Sequence, residues 1–171
     1  MKNTIAERIY DFLKRYPPFV FLDEQSLLEI AGQVKVIYFE KDKAVFKEKE
    51  KNHGMFYVVK DGAVRVLRTK DNQQQIVDIC DEGDIFGLRP LITKEDYQLT
   101  AMANEECIIY GVPIDLFLPI ALDNKSVSNF LIASFASNVS DPYSLEESGK
   151  LFTEYSVERN SELFDLQKAR Y

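Results

Sequence analysis

The residues with the clearest potential for chemistry are those of Gly83-Asp84-Ile85-Phe86-Gly87. The segment that follows, Leu88-Arg89-Pro90-Leu91-Ile92, can form a single helical turn, because proline is tolerated where its missing N–H would have no partner. Backbone N–H groups at the start of such a turn point outward and attract negative charge.

Side chains suited to catalysis are scarce. His53 is the single histidine, and it stands in a turn rich in lysine and glutamate, where a surface position is expected. A metal site of the cupin type, which shares this density of strands, uses two or three histidines plus a carboxylate. Cys80 and Cys107 lie in apolar strands and are expected to be buried, reduced thiols. The sequence predicts neither an enzyme nor a metal site.

The composition is that of a folded, acidic domain. The 171 residues are 46% hydrophobic and carry a formal net charge of −7, which is unsuited to neutralising the phosphates of DNA. No apolar stretch approaches the roughly 20 residues that a membrane span needs, and the first residues do not resemble a signal peptide. We expect a cytoplasmic protein that binds neither DNA nor membrane.

Helical patterns flank a central run of short strands. The strands are rich in Val, Ile, Phe and Tyr and alternate with polar turns, which is typical of a sandwich, roll or barrel. The predicted fold is therefore mainly β, an antiparallel β-roll of the jelly-roll kind with N-terminal and C-terminal helices. The predicted ranges are helices over 4–16 and 23–33, a β-roll over 34–112, helices over 113–139, one domain over 1–140, and a linker or partner-dependent helical tail over 141–171.

The order of strand, Asp61-Gly62 turn, strand and Gly83-Asp84-Ile85-Phe86-Gly87 resembles the cyclic-nucleotide-binding domain. This domain is the β-roll sensor of the catabolite activator protein and of cyclic-nucleotide-dependent kinases, so the resemblance implies a regulatory role in signal transduction. In that family a glutamate directly after the second glycine holds the ribose 2′-hydroxyl, and an arginine further along holds the cyclic phosphate. Here those positions read Leu88 and Tyr97.

Neither replacement offers the interaction that the family uses. Leu88 accepts no hydrogen bond, and Tyr97 offers one neutral bond in place of a charged, bidentate guanidinium. Each lost charge-assisted bond costs on the order of 1.5–3 kcal/mol, so losing both weakens binding by roughly a hundred- to ten-thousand-fold. We therefore expect a module unable to bind cAMP or cGMP in the usual way.

A functional nucleotide sensor with altered specificity is the alternative. Arg89, together with backbone amides, would then hold the phosphate of a cyclic nucleotide or another small anion, whereas Lys94 and Arg65 are expected to be surface charges. We expect an apolar pocket that Tyr97 partly fills, with Val64, Ile79 and Ala101 on its walls, whereas a polar pocket with Arg89 pointing inward would favour the altered sensor. Its predicted ligand-binding residues are Gly83, Phe86, Gly87, Leu88, Arg89, Leu91, Tyr97, Gln98, Leu99 and Thr100.

A finer resemblance concerns residues 5–13, 16–19 and 77–87. They look like the N-terminal sensor domain of certain bacterial signal-transduction proteins, in which paired CBS domains and a nucleotidyltransferase-like region follow the sensor. The resemblance implies that this chain is a fragment, that residues 141–171 begin a linker, and that such output domains are its partners. No such output domain is visible in the 171 residues.

The helix that starts near Asn124 is expected to join two copies of the chain. In the family the helix after the roll commonly forms the dimer contact, and a bulky group beside small ones suits close helix packing. The alternative is that the same stripe packs on the roll, whose open face must be covered. The residues of this stripe are Val127, Phe130, Leu131, Ser134 and Phe135.

Overall fold

The computed structural model describes residues 4–139, so the predicted tail over 141–171 lies outside the described residues. Two helices and a short 3₁₀ turn precede the strands. Asp23 caps the second helix by accepting a hydrogen bond from the N–H of Ser26 at 3.2 Å, as aspartate commonly does at this position. These elements are α1 (Thr4–Leu13), the 3₁₀ turn (Phe19–Phe21) and α2 (Glu24–Ala31).

Both N-terminal helices are shorter than their predicted ranges of 4–16 and 23–33. Beyond Leu13 the backbone tightens into a turn, in which the N–H of Tyr16 donates to the carbonyl of Leu13 at 3.0 Å. A residue that precedes proline is disfavoured in the helical conformation. Because of Pro17, α1 ends at Leu13, three residues before the end at Tyr16 that the apolar pattern predicts.

Among residues 4–139, eight strands form two antiparallel sheets of four, with the order β1-β8-β3-β6 in the first sheet and β2-β7-β4-β5 in the second. Each pairing is antiparallel, which confirms the predicted β-roll. The strands are β1 (Lys35–Phe39), β2 (Ala44–Phe46), β3 (Met55–Asp61), β4 (Val64–Lys70), β5 (Gln73–Cys80), β6 (Ile85–Phe86), β7 (Thr100–Ala103) and β8 (Cys107–Pro113).

Three further helices follow strands of the roll. The predicted helical range 113–139 forms two helices, and Asn124 caps the second of them by accepting a hydrogen bond from the N–H of Val127 at 3.0 Å. A third, shorter helix lies between β6 and β7. The helices are α3 (Arg89–Thr93), α4 (Ile114–Leu122) and α5 (Lys125–Val139).

Two hydrophobic cores lie on opposite faces of the first sheet, because successive side chains of a strand point to opposite sides. In β8, Cys107 and Ile109 point between the sheets, whereas Tyr110 and Val112 point toward the helices. We call the core between the sheets the roll core. Its buried members are Val45, Phe46, Tyr57, Val59, Val64, Val66, Cys80, Phe86, Tyr97, Ala101, Ala103, Cys107 and Ile109.

The second core, which we call the helix core, joins the first sheet to α1, α2, α4 and α5. Its centre is aromatic: the ring of Phe56 meets that of Phe117 at 4.8 Å between centroids and that of Phe19 at 6.1 Å. Such edge-on and stacked pairs add about 0.5–1.5 kcal/mol to the burial of their area. The helices are therefore packed firmly on the outside of the roll.

Within residues 4–139 no helix is both long enough and apolar enough to cross a membrane. The same residues contain no group of three or more His, Cys, Asp or Glu side chains arranged to hold a metal ion. Cys80 and Cys107 are both buried, as the sequence predicts. Burial raises the pKa of the Cys107 thiol, whose Sγ donates to the carbonyl of Ala63 at 3.0 Å.

Candidate functional site

The turn that follows Gly87 forms as the sequence predicts. α3 starts at Arg89, and the N–H of Leu91 donates to the carbonyl of Leu88 at 3.1 Å. Gly87 has a φ of +75°, and a Cβ added there would approach the ring of Phe46 to 3.0 Å. Glycine is the residue that tolerates both conditions. The start of α3 is thus held closely against the roll core.

Leu88 faces away from the roll core. Its side chain is 0% exposed and lies in the helix core, together with Phe56, Val58 and Leu91. A carboxylate at this position would be buried among apolar side chains instead of being directed between the sheets. Leu88 and Leu91 therefore line the helix core and not the predicted ligand pocket.

The interior of the roll is filled by Tyr97. The side chain is 1% exposed, and its ring stacks on that of Phe46 with 3.8 Å between centroids and 8° between planes. The ring of Phe46 in turn lies 6.0 Å from the rings of Tyr57 and Phe86. We call these four rings the aromatic stack. A planar ligand could enter between the sheets only by displacing part of it.

The backbone of Tyr97 is held by the loop between β2 and β3, residues 47–54. The N–H of Tyr97 donates to the carbonyl of Glu50 at 2.9 Å, and the carbonyl of Tyr97 accepts from the N–H of Lys49 at 2.8 Å. Three positions on, the hydroxyl of Thr100 accepts from the N–H of Glu48 at 3.0 Å. The segment that carries Tyr97 is therefore paired with this loop along several residues.

His53 is exposed, as predicted, yet it contacts the aromatic stack. Its backbone N–H donates to the hydroxyl of Tyr97 at 3.1 Å. Its Nδ1 and the hydroxyl of Tyr57 share a hydrogen bond of 2.6 Å, in which the ring tautomer sets donor and acceptor. The imidazole also meets the Tyr97 ring edge-on, with 5.2 Å between centroids. The single histidine thus covers the polar ends of two buried phenols.

Burial raises the pKa of both phenols. The pKa of Tyr57 lies well above its ordinary value, first because burial disfavours the phenolate and then because Tyr97 is close. The pKa of Tyr97 is also raised by burial, although the N–H of His53 opposes this effect by stabilising the charged form. Both hydroxyls are consequently neutral hydrogen-bonding groups over the physiological pH range.

The raised pKa of Tyr57 is expected to make the free energy of unfolding depend on pH in the alkaline range. A phenol whose pKa is raised in the folded state keeps its proton when the unfolded chain loses it, so the free energy of unfolding falls as pH rises above the unfolded pKa of about 10. The substitution Tyr57→Phe removes this group and should flatten the decline by up to about 1.4 kcal/mol per pH unit. Urea unfolding at a series of alkaline pH values measures the slope. An unchanged slope in the variant would contradict the prediction.

A small cleft opens beside the aromatic stack, with a volume of about 50 Å³. Pockets that bind small molecules typically enclose about 300–1,000 Å³, so this cleft is much smaller than such a pocket. Arg89, which is half-buried, and Glu95 are the two charged residues among those that line the cleft. The cleft is lined by Phe46, Arg89, Pro90, Glu95, Tyr97, Gln98 and Leu99.

The ten predicted pocket residues are divided between several places. Arg89, Tyr97, Gln98 and Leu99 line the cleft. The other six lie elsewhere, since the strand and turn that carry them present alternate residues to different cores. Phe86 is buried in the roll core, and Gly87 follows it in the chain. Leu88 and Leu91 are buried in the helix core. The hydroxyl of Thr100 is hydrogen-bonded to the β2–β3 loop. The predicted wall residues Val64 and Ala101 are fully buried in the roll core, and Ile79 is half-buried on β5.

Gly83 does not line the cleft. It has a φ of +87°, and a Cβ added to it would overlap the ring of Tyr16. Its N–H donates to the carbonyl of Val59 at 2.8 Å. It lines a separate depression of about 210 Å³ with Arg15 and Phe130. Gly83 therefore shapes the contact between the β5–β6 turn and the N-terminal segment.

The two remaining candidate cations also lie outside the cleft. Arg65 is half-buried, because its guanidinium pairs with Asp42 at 2.9 Å and donates to the carbonyl of Ala103 at 3.1 Å. These contacts tie the β1–β2 turn to β4 and β7. Lys94 ends α3 with a φ of +58° and is exposed, as predicted. Arg89 is thus the candidate for anion binding that the fold brings to the aromatic stack.

The stripe predicted to join two copies packs on the chain's own helix core. Val127, Phe130 and Leu131 are buried in it, and Phe135 packs against it. The buried hydroxyl of Ser134 donates to the carbonyl of Phe130 at 2.8 Å. This is the alternative arrangement, in which the stripe covers the open side of the domain. A dimer contact at α5 stays a prediction.

Three residues of the site were missed by the sequence analysis: Phe46, Tyr57 and His53. Tyr57 carries a signal, because it stands two residues before the inward-facing Val59 and shares its side of the strand. Phe46 gives no such alternation, since its neighbour Val45 is buried in the same core. His53 carries no signal. Its contact with Tyr97 joins residues 44 positions apart, and no local pattern reports such a meeting.

The two sheets and their flanking helices together define a β-roll domain, and comparison with solved structures supports this fold. The sensor domain of the transcriptional regulator DNR from Pseudomonas aeruginosa matches with a TM-score of 0.67 and 20% identity, over 79% of this chain and 96% of that one. The regulatory domain of Toxoplasma gondii PKA with cAMP matches with a TM-score of 0.66 and 20% identity, over 88% and 58%. The regulatory subunit of a cAMP-independent protein kinase A from Trypanosoma brucei matches with a TM-score of 0.61 and 20% identity, over 69% and 46%.

The family itself is shown by the sequence. The family model for the cyclic nucleotide-binding domain matches residues 36–124, which is more than half of the chain. The matched range runs from β1 to the start of α5 and includes the whole aromatic stack. The chain therefore belongs to the cyclic nucleotide-binding domain family.

Proposed function

We propose that this chain is a regulatory domain that has the cyclic-nucleotide-binding fold but does not bind cAMP or cGMP in the usual way, and that it performs no catalysis of its own. One observation carries the proposal: the side chain of Tyr97 lies between the two sheets, stacked on Phe46 and 1% exposed. The domain would then act through its contacts with other domains or proteins.

Both the volume and the charge of the site support this proposal. The cleft beside Tyr97 encloses about 50 Å³, a small fraction of what a drug-sized ligand occupies. The residues that line the cleft include Arg89 and the oppositely charged Glu95, so their formal charges offset each other near an anionic phosphate. Within the same fold, the Trypanosoma brucei relative is described as cAMP-independent, so loss of cAMP control has a structural parallel.

A sensor with altered specificity is the second candidate, and the position of Arg89 favours it. This side chain is half-buried at the cleft, directly after the turn that begins at Gly87. Together with the backbone amides of that turn it would hold a small anion, such as the phosphate of an unusual nucleotide, once Tyr97 had moved. Gln98, which also lines the cleft, would add a neutral hydrogen bond.

Isothermal titration calorimetry with cAMP, cGMP and a cyclic dinucleotide tests the two candidates. We expect no saturable binding heat for any of them, because the aromatic stack fills the site. The variants Arg89→Ala and Lys94→Ala form a matched pair, since Lys94 is an exposed cation outside the cleft. Micromolar binding of cAMP would overturn the proposal, and binding of any ligand that is lost only in the Arg89 variant would favour the altered sensor.

We further propose that the output belongs to domains of the CBS or nucleotidyltransferase-like kind, in a bacterial cytoplasmic protein of which this chain is one part. The support is the resemblance of residues 5–13, 16–19 and 77–87 to sensor domains of such proteins. The intact mass of the protein isolated from its own cells tests this. A mass equal to that of this chain alone, 19.8 kDa, would contradict it.

A further inference from the structure

We infer that Tyr97 acts as a built-in occupant of the roll whose position is transmitted to α4 through residues 52–54 of the β2–β3 loop. The inference goes beyond the proposed function, because it assigns a conformational role to a specific contact path. It concerns one side chain, one loop and the first residue of one helix. Each step of the path is a hydrogen bond between described residues.

The first step joins Tyr97 to the loop. Its hydroxyl accepts a hydrogen bond from the backbone N–H of His53 at 3.1 Å, and the imidazole of His53 shares a bond of 2.6 Å with Tyr57. Beside it, the side-chain amide of Asn52 donates to the carbonyl of Glu95 at 3.0 Å. The loop is therefore attached to the segment that carries Tyr97 by a backbone group and by a side chain.

The second step joins the loop to the C-terminal helices. The side-chain oxygen of Asn52 accepts from the N–H of Gly54 at 3.2 Å, which fixes the tight turn over residues 52–54. The carbonyl of Gly54 then accepts from the N–H of Ile114 at 3.0 Å. Ile114 is the first residue of α4. His53, which is hydrogen-bonded to Tyr97, and Gly54, which is hydrogen-bonded to α4, are therefore consecutive residues.

The third step carries the contact onward to α5. The hydroxyl of Ser128 in α5 donates to the carbonyl of Ala121 in α4 at 2.9 Å. Ile114 and Ala121 are both buried in the helix core, together with Phe130 of α5. Since packed cores resist small continuous deformations, a displaced loop has to be accommodated at the start of α4.

Through this path, the buried side chain of Tyr97 would stabilise one position of α4, as a bound ligand does in a sensor domain. A ligand shifts a conformational equilibrium only through interactions that differ between the two states. Tyr97 makes such interactions when seated, through its stack on Phe46 and its bond to His53. The seated ring therefore stabilises the observed position of α4, and its removal releases that position without any nucleotide.

Hydrogen–deuterium exchange of the Tyr97→Ala variant tests the inference. Exchange in Ile114–Leu122 is expected to rise about tenfold or more relative to that in Val64–Lys70, because the path to α4 is lost while the second sheet stays paired. Addition of p-cresol, a phenol that fits the vacated space, is expected to restore protection of α4. The variant Val66→Ala is the control, since it removes atoms of the same core away from the loop.

Tyr97→Phe provides a second test in a protein that keeps the ring. It removes only the hydroxyl, so exchange at the amides of His53 and Ile114 is expected to rise about fivefold, the change that one lost neutral hydrogen bond produces. Unchanged exchange at Ile114 in this variant would overturn the inference. Equal rises in α4 and in β4 for Tyr97→Ala, or p-cresol binding without restored protection, would also overturn it. Because no nucleotide is involved, the inference can fail while the proposed function stands.

Discussion

The substitution Leu88→Glu is expected to lower the free energy of unfolding by about 3–5 kcal/mol at neutral pH, the usual cost of an uncompensated buried charge. Leu88 is 0% exposed and is surrounded by apolar side chains of the helix core, among them Phe56 and Leu91. A carboxylate there finds neither solvent nor a cationic partner in that core. The resemblance implies that the family has a glutamate directly after the glycine that corresponds to Gly87. We therefore expect that introducing this glutamate destabilises the domain instead of simply restoring the nucleotide site.

The pH dependence of this effect identifies its cause. Burial raises the pKa of the introduced carboxyl group in the folded state, so the folded protein holds a proton that the unfolded chain releases above its pKa of about 4.3. The loss of stability is therefore smallest near pH 4 and grows as the pH rises. Urea unfolding at acidic and neutral pH measures the difference.

Leu88→Met is the matched control for this substitution. It keeps the volume and the apolar character of the side chain, and it is expected to cost less than about 1.5 kcal/mol. A Leu88→Glu protein that keeps its stability at neutral pH and gains affinity for cAMP would contradict the assignment. Residue 88 would then have to face the interior of the roll.

The substitution Gly62→Ala is expected to lower the free energy of unfolding by at least about 3 kcal/mol. Gly62 has a φ of +90°, and a Cβ there would overlap the carbonyl of Glu106 and lie 3.0 Å from the Cα of Cys107. Both neighbours are backbone atoms of the loop into β8 and its first residue, which cannot move without disturbing the first sheet. Urea unfolding monitored by circular dichroism gives the change.

Gly54→Ala separates the two causes of this effect. Gly54 has a φ of +74°, but a Cβ built on it meets no atom within 4 Å. Its substitution therefore carries the cost of the left-handed backbone alone, about 1–2 kcal/mol. Equal losses in the two alanine variants would show that the contact with Glu106 is unimportant.

Much of the fold follows from local features of the sequence. Alternating apolar residues identify the strands between residues 35 and 113, and the glycines at 62, 83 and 87 supply the positive φ angles that their turns require. The short turn of α3 was predicted from its proline and its position after Gly87. These features are local because a turn or a strand depends mainly on the conformational preferences of a few consecutive residues.

From the sequence by itself we also predict that two charged anchors of the family are missing, because the resemblance places Leu88 and Tyr97 at their positions. The sequence did not determine where these side chains point. Leu88 lies at the junction of a strand and a helix, and the backbone angles at Gly87 turn it into the helix core. Tyr97 could have been an exposed loop residue, and it is the stack on Phe46 that buries it.

Only the tertiary structure decided which residues form the site. Phe46 and Tyr97 are far apart in the chain, and His53 meets Tyr97 across 44 positions. Their contacts depend on the closure of the roll and on the pairing of the β2–β3 loop with the segment after α3. The free energy of such contacts comes from burying the rings together, which happens only when both sheets are in place. For the same reason the stripe on α5 packs on the helix core in this chain, although its pattern alone was equally suited to a second copy.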